Sequence, residues 1–260
     1  MPDGTVKVSI AGPVATVTLA RPARRNALDL GMLDALFHAC DEVDGAPHVR
    51  AAILTGEGDA FCAGGDIHAW GGMGPGDFGH NWVRHGHRVF DRLATLRMPL
   101  IAAINGHALG GGLEIAATAD IRIAETHVRV GLPEASLGMV PGWSGTQRLV
   151  RRLGAQVVRR MALGGEVLTA GEARDLGIFD SVVATGTALP AAQQAADRIV
   201  GRAPGATEAI KLMISIAEGE DRGAAVDALA AIAVSGRPDM TEGVTAFREK
   251  RAPRFRGGWS

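Results

Sequence analysis

Three successive glycines, Gly110-Gly111-Gly112, stand between an apolar run, Leu100-Ile101-Ala102-Ala103-Ile104, and a segment of helical character that starts at Gly111. A glycine run at that junction requires a strand to end, the chain to turn without side chains and a helix to begin, as in α/β packing. Free N–H groups and the positive end of the helix macrodipole meet at such a start, so an oxygen that develops negative charge is stabilised there. Close helix packing or simple capping is the structural alternative for the same residues.

The rest of the chain follows a compatible pattern. Residues 6–10 and 14–19 alternate with period two across Gly12-Pro13, which predicts an opening hairpin. Leu30, Leu33, Leu36, Phe37 and Cys40 recur at helical spacing between Leu28 and Val43. Residues 51–55 read as a buried strand, 82–96 as a helix, 100–105 as a buried strand, 111–119 as a helix and 121–124 as a strand. This alternation predicts an α/β fold with mostly parallel pairing. Beyond about Ala184 no strand pattern remains, and residues 188–199, 206–217, 222–234 and 241–250 are Ala-rich and helix-like. The predicted division is a core that carries the site, residues 1–188, and a helical C-terminal part, residues 189–260.

Composition narrows the partners. A chain of 260 residues that is 47% hydrophobic buries a substantial core, and its net charge of -1 offers no general basic field for nucleic acid. Cys40 and Cys62 fit neither a zinc pattern nor a secreted disulfide framework, which points to a reducing compartment. No basic, apolar leader opens the sequence and no apolar run reaches the roughly 18 residues of a membrane span, so a cytoplasmic protein is expected.

Two acidic residues accompany the glycines. Glu114 lies one turn into the helix that starts at Gly111, within reach of whatever binds there, although an ordinary dipole-complementing Glu is the plainer reading. Glu134 falls in a loop between apolar neighbours, where burial would raise its pKa and keep a proton available. A further glycine-bearing segment, Ala60-Phe61-Cys62-Ala63-Gly64-Gly65-Asp66-Ile67, follows the strand at 51–55, and its N–H groups could complete an oxyanion hole with the triple glycine.

Residues 61–67, 102–114 and 132–142 resemble the crotonase (enoyl-CoA hydratase/isomerase) superfamily in order and spacing. Matches extend from Arg25-Asn26-Ala27-Leu28 through Gly145-Thr146-Gln147-Arg148-Leu149 to Glu242-Gly243 and residues 247–251, covering nearly the whole chain. The resemblance implies a crotonase-like spiral of ββα units with a helical C-terminal part, assembled as homotrimers or homohexamers. It implies that the N–H groups of Gly65 and Gly111 hold a thioester oxygen, that Glu114 activates water and that Glu134 protonates the α-carbon. Gly142 then leaves room for the water, and Ala63, Gly65, Asp66, Ile67 and His68 line the coenzyme A groove. Arg25 and Lys250 match basic positions near the nucleotide phosphates. The chain departs from the family at His68, where a Lys is frequent, and at Trp143, where a small residue is common.

The reaction so implied is hydration of a trans-2-enoyl-CoA to the 3-hydroxyacyl-CoA in fatty acid metabolism, with no metal and no cofactor beyond the CoA of the substrate. Double-bond isomerisation, or another thioester-enolate reaction, needs only one carboxylate and is the alternative. A non-catalytic binding homologue is a third reading. His80, His85 and His87 read as lid-loop residues, and Arg148, Arg151, Arg152, Arg159 and Arg160 as a solvated helical face or an oligomer contact. Residues 142–145 do not form the G-x-S-x-G elbow, and no P-loop occurs.

Overall fold

The computed structural model describes residues 4–220 and 222–256. The chain divides into two compact units, Met1–Glu208 and Ala209–Ser260. In the first unit the strands are β1 (Thr5–Ala11), β2 (Val14–Ala20), β3 (Ala51–Gly56), β4 (Leu100–Ile104), β5 (Ala108–Leu109), β6 (Ile121–Glu125), β7 (Arg129–Gly131), β8 (Val167–Thr169) and β9 (Ser181–Val183). A six-stranded sheet has the order β1-β2-β3-β4-β6-β9, and a smaller three-stranded sheet the order β5-β7-β8. β1 and β2 form the antiparallel hairpin expected from their alternation, and every other neighbour in the large sheet runs parallel.

Parallel strands need long crossovers. These are supplied by α1 (Leu30–Gly45), the short turns α2 (Ile67–Trp70) and α3 (Pro75–Asp77), α4 (Arg84–Ala94), α5 (Gly111–Ala116), α6 (Gly145–Leu153), α7 (Ala155–Ala162) and α8 (Ala170–Asp175). Side chains of β3 and β4 sort by period two onto two cores. Ala52, Leu54, Leu100, Ala102 and Ile104 join the larger core with α1 and α4, while Ala51, Ile53, Ile101 and Ala103 face a smaller one. That second core is closed by α9 (Ala188–Val200), whose Ala188, Ala192, Ala195 and Ala196 form a small-residue face that packs on the sheet.

The helix expected at 82–96 is two structures. A π-helical stretch, Phe78–Val83, feeds α4, and it places Trp82 inward at 3% exposure. α5 ends at Ala116 rather than 119. Thr118 turns its hydroxyl back to the Ile115 carbonyl at 2.7 Å, a local bond that competes with helical continuation. In the second unit α10 (Pro204–Glu218, which begins in the first unit), α11 (Arg222–Ser235) and α12 (Pro238–Glu249) follow one another, so the helical C-terminal pattern and the α/β core both agree with the sequence reading. Among the described residues no helix is long and apolar enough to cross a membrane.

Candidate active site

The two glycine segments meet through backbone. Leu28 bridges Gly65 in parallel register: Leu28 N–H donates to Gly64 O at 2.8 Å and Asp66 N–H to Leu28 O at 2.7 Å. Those bonds use the groups flanking Gly65, and its own N–H has no acceptor among the described residues. Cys62 bridges Ala108 in the same way, which draws the second segment alongside. A Cβ placed on Gly64 would lie 3.0 Å from Gly111 N. Gly110 adopts φ 54, ψ -123, a conformation L side chains rarely adopt, and from there α5 starts with the Gly111 N–H also unclaimed among the described residues.

Buried polar pairing fixes the first loop. Asp66, 7% exposed, takes a 2.7 Å bond from Arg21 Nη1 and caps α2 by accepting from His68 N–H at 3.0 Å. Burial alone would raise the Asp66 pKa, but the Arg21 guanidinium and the His68 amide outweigh it and hold the carboxyl below its ordinary range. Asn26, fully buried with φ 56, joins the same junction through Arg21 N–H and the carbonyls of Glu57 and Ala60.

Glu114 stands on α5 at 2% exposure, and its Oε1 accepts two N–H bonds, from Trp143 at 2.8 Å and Gly145 at 2.7 Å. Between those donors Ser144 takes φ 72, so the chain folds into a small nest of amides around the carboxylate. Burial pushes the Glu114 pKa up; the two amides oppose the rise and the nearby charge of Glu134 adds to it, bringing it to about 7. Both of these donors go to Oε1, so that oxygen is the one held by the segment 143–145.

Glu134 lies in the 3-10 turn Pro133–Leu137. Both of its carboxyl oxygens are buried and accept no hydrogen bond among the described residues. Burial raises its pKa as well, and a contact with its own amide, short of hydrogen-bond geometry, offsets only part of this. A Cβ on Gly110 would come within 2.9 Å of Glu134 Oε1, so a side chain there would displace the acid. Glu114, Glu134, Gly65, Gly111, Gly142 and Ile67 all line one cavity of about 130 Å³.

The remaining expected residues fall in several places. Ala63 also lines this cavity, and its N–H is held at 3.0 Å by the carbonyl of Arg25, whose own side chain is exposed. His68 is exposed at the second position of α2. Lys250 belongs to the second unit, where it closes α12 with φ 53.

Two expectations change. His80, His85 and His87 are not in a lid loop: they sit on the π-helical turn and α4, where His87 Nδ1 lies 2.8 Å from Ser144 Oγ. The stretch from Arg148 to Arg152 is not wholly a solvated face. Arg148 is 2% exposed and donates to Asp91 at 2.8 Å, and Arg152 Nη1 donates to the Ala117 and Ala119 carbonyls, capping the end of the helix that carries Glu114. No local sequence pattern marks Arg21 as a site residue, for its partner lies 45 residues away.

The enoyl-CoA hydratase/isomerase family profile matches residues 9–258. A short-chain-enoyl-CoA hydratase of Clostridium acetobutylicum is 37% identical over 249 residues, covering 92% of this chain and 93% of the relative. An (E)-benzylidenesuccinyl-CoA hydratase of Thauera aromatica is 34% identical over 256 residues, covering 97% and 99%. The crystal structure of an enoyl-CoA hydratase from Bacillus anthracis superposes with a TM-score of 0.81 at 32% identity, covering 98% of this chain and all of that one.

Proposed function

We propose, from the premise that this chain belongs to the enoyl-CoA hydratase/isomerase family, that it adds water reversibly to a trans-2-enoyl-CoA to give the 3-hydroxyacyl-CoA. The observation that carries the reading is the pairing of two buried carboxyls, both with raised pKa, beside two glycine amides that have no acceptor among the described residues, in a single cavity. Isomerisation needs one such carboxyl; hydration uses both.

In this scheme the Gly65 and Gly111 N–H groups hold the thioester oxygen, where charge accumulates as the double bond is attacked. Glu114 removes a proton from water as the water oxygen bonds to C3. The displaced π electrons pass toward C2 and the thioester oxygen, and Glu134 delivers its proton to C2. The carboxyls are electrostatically coupled, so acid and base labels exchange in dehydration and belong to a chosen microstate of the pair. The scheme asks for no group beyond these residues, water and the thioester.

Backbone from Ala63 to His68, with Arg25, forms the CoA-binding part of the proposal. Self-assembly into trimers or hexamers is also proposed, and it would cover apolar side chains that the second unit leaves exposed, among them Ile210, Met213 and Phe247. Loss of the enoyl absorbance on adding the protein to crotonyl-CoA tests the activity. Conversion of a 3-enoyl-CoA with no hydration of any 2-enoyl-CoA would replace it with isomerisation. The relatives' names span short-chain and benzylidenesuccinyl acyl groups, so the family leaves the acyl group to this chain's own walls.

A further inference from the structure

Trp143 occupies the cavity wall against both donor glycines. A Cβ built on Gly111 would lie 2.9 Å from Trp143 Cζ3, and one built on Gly65 would lie 3.2 Å from Trp143 Cη2 and 3.1 Å from Trp82 Cζ2. The opposite edge of the same indole presses on α4, where a Cβ on Gly86 would fall 2.1 Å from Trp143 Nε1. Only glycine at 86 admits the ring. Trp82 and Phe90 hold it from the side, with ring centroids 5.3 Å and 5.1 Å away. At 3% exposure the indole is clamped on several sides and has no room to swing clear of the cavity.

Stability alone is a poor account of this ring. Its N–H is buried without an acceptor among the described residues, whereas a buried indole N–H ordinarily finds a partner. What the ring does is limit space. The cavity measures about 130 Å³, and a hydrophobic cavity of about 150 Å³ takes one benzene, six carbons, in a well-studied case. A longer chain would have to leave past Ile67, Leu137 and Val140, which are 50%, 55% and 73% exposed. To turn that way it must give up contacts and rotamer freedom inside the cavity, a cost that methylenes left half in water do not offset.

We infer that Trp143, backed by Trp82, is the acyl-length stop of this protein, and that its substrates are short-chain enoyl thioesters of up to about six acyl carbons. The inference rests on the hydratase reading for its reaction but not for its geometry. The ring specifies length through its side chain, while its backbone N–H holds Glu114 whatever that side chain is.

The test separates binding from turnover. Butanoyl-, hexanoyl- and decanoyl-CoA, with CoA as baseline, are titrated calorimetrically into the wild type, Trp143→Phe and Trp143→Ala, and hydration of the matching 2-enoyl-CoAs is measured in parallel. In the wild type, decanoyl-CoA binds at least about tenfold more weakly than hexanoyl-CoA. Trp143→Ala recovers about that factor for decanoyl-CoA and moves the kcat/KM optimum to longer chains, while Trp143→Phe, which removes the orphan N–H and keeps most of the bulk, preserves the wild-type order. Equal wild-type affinity for decanoyl- and hexanoyl-CoA overturns the inference, as does an equal change at all lengths in Trp143→Ala. Should Trp143→Ala not fold, the wild-type length series decides alone. Length-ordered binding without hydration would overturn the hydratase reading and leave the stop in place.

Discussion

The backbone N–H of Trp143 donates to Glu114 Oε1 at 2.8 Å, joining residues 29 apart in the chain. The Gly145 N–H lands on the same oxygen at 2.7 Å, and Ser144 between them is turned into the left-handed region. A buried carboxylate is expensive without such donors. Here the donors hold one oxygen in place and oppose the rise in pKa that burial causes, so the segment 143–145 acts on both the position and the pKa of Glu114.

Replacing either acid by its amide separates proton transfer from binding. Glu114→Gln and Glu134→Gln are each expected to lower kcat by about 10²- to 10⁴-fold while acyl-CoA affinity changes little, because the Gly65 and Gly111 amides remain. Steady-state hydration rates together with calorimetric titration check this. Near-normal turnover in either variant would exclude the two-carboxyl scheme.

Glu114 also makes stability depend on pH. Its pKa rises from 4.5 to about 7, so between these values the folded chain holds a proton that the unfolded chain has lost. Its contribution is complete below 4.5, declines as pH rises through about 7 and is constant above, a loss of roughly 3 kcal/mol at most for the single group. Denaturant unfolding of the wild type and Glu114→Gln across pH 4.5 to 8 should show the difference between the two curves changing in that direction. Parallel curves would mean that Glu114 titrates as an ordinary exposed carboxyl.

A methyl group at residue 145 tests the nest itself. Its carbon would lie 2.5 Å from Glu114 Cγ and Oε1, so the carboxylate must move. Gly145→Ala is expected to reduce kcat by about 10²-fold, the cost of misplacing a reacting group by about 1 Å. Stopped-flow or steady-state rates measure it, and a decrease smaller than about threefold would show that the amides do not position the acid.

The Arg21–Asp66 ion pair predicts an asymmetric cost. Removing one member leaves the other charged and buried, so Arg21→Leu should destabilise the fold by about 3–5 kcal/mol, whereas replacing both by apolar residues should cost much less. Urea titrations of the single and double variants check this. Additive losses would show that the pair is not coupled.

The elements most legible in the sequence were those whose burial repeats over many residues. β3 and β4 each bury consecutive side chains on two cores, and α1 places Leu33, Leu36 and Cys40 on one face, so their periodicity is written locally. β5, β7, β8 and β9 span two or three residues, too few for any period to show. Glu114 could be singled out because glycines precede it in the chain. The residues that hold it could not: Ser144 acts through a backbone angle, Arg152 reaches the end of α5 from α6, and Arg21 meets Asp66 across 45 residues. Pairings of that kind exist only after the chain has folded.

The groups aimed at the thioester oxygen in the proposed scheme belong to the main chain of Gly65 and Gly111, and a codon change cannot delete a peptide N–H except by introducing proline. The acids and the indole around them are side chains and can be exchanged one at a time. Descendants of such a site can therefore take up a new reaction or a new acyl group while the tool that stabilises the enolate passes unaltered from one to the next.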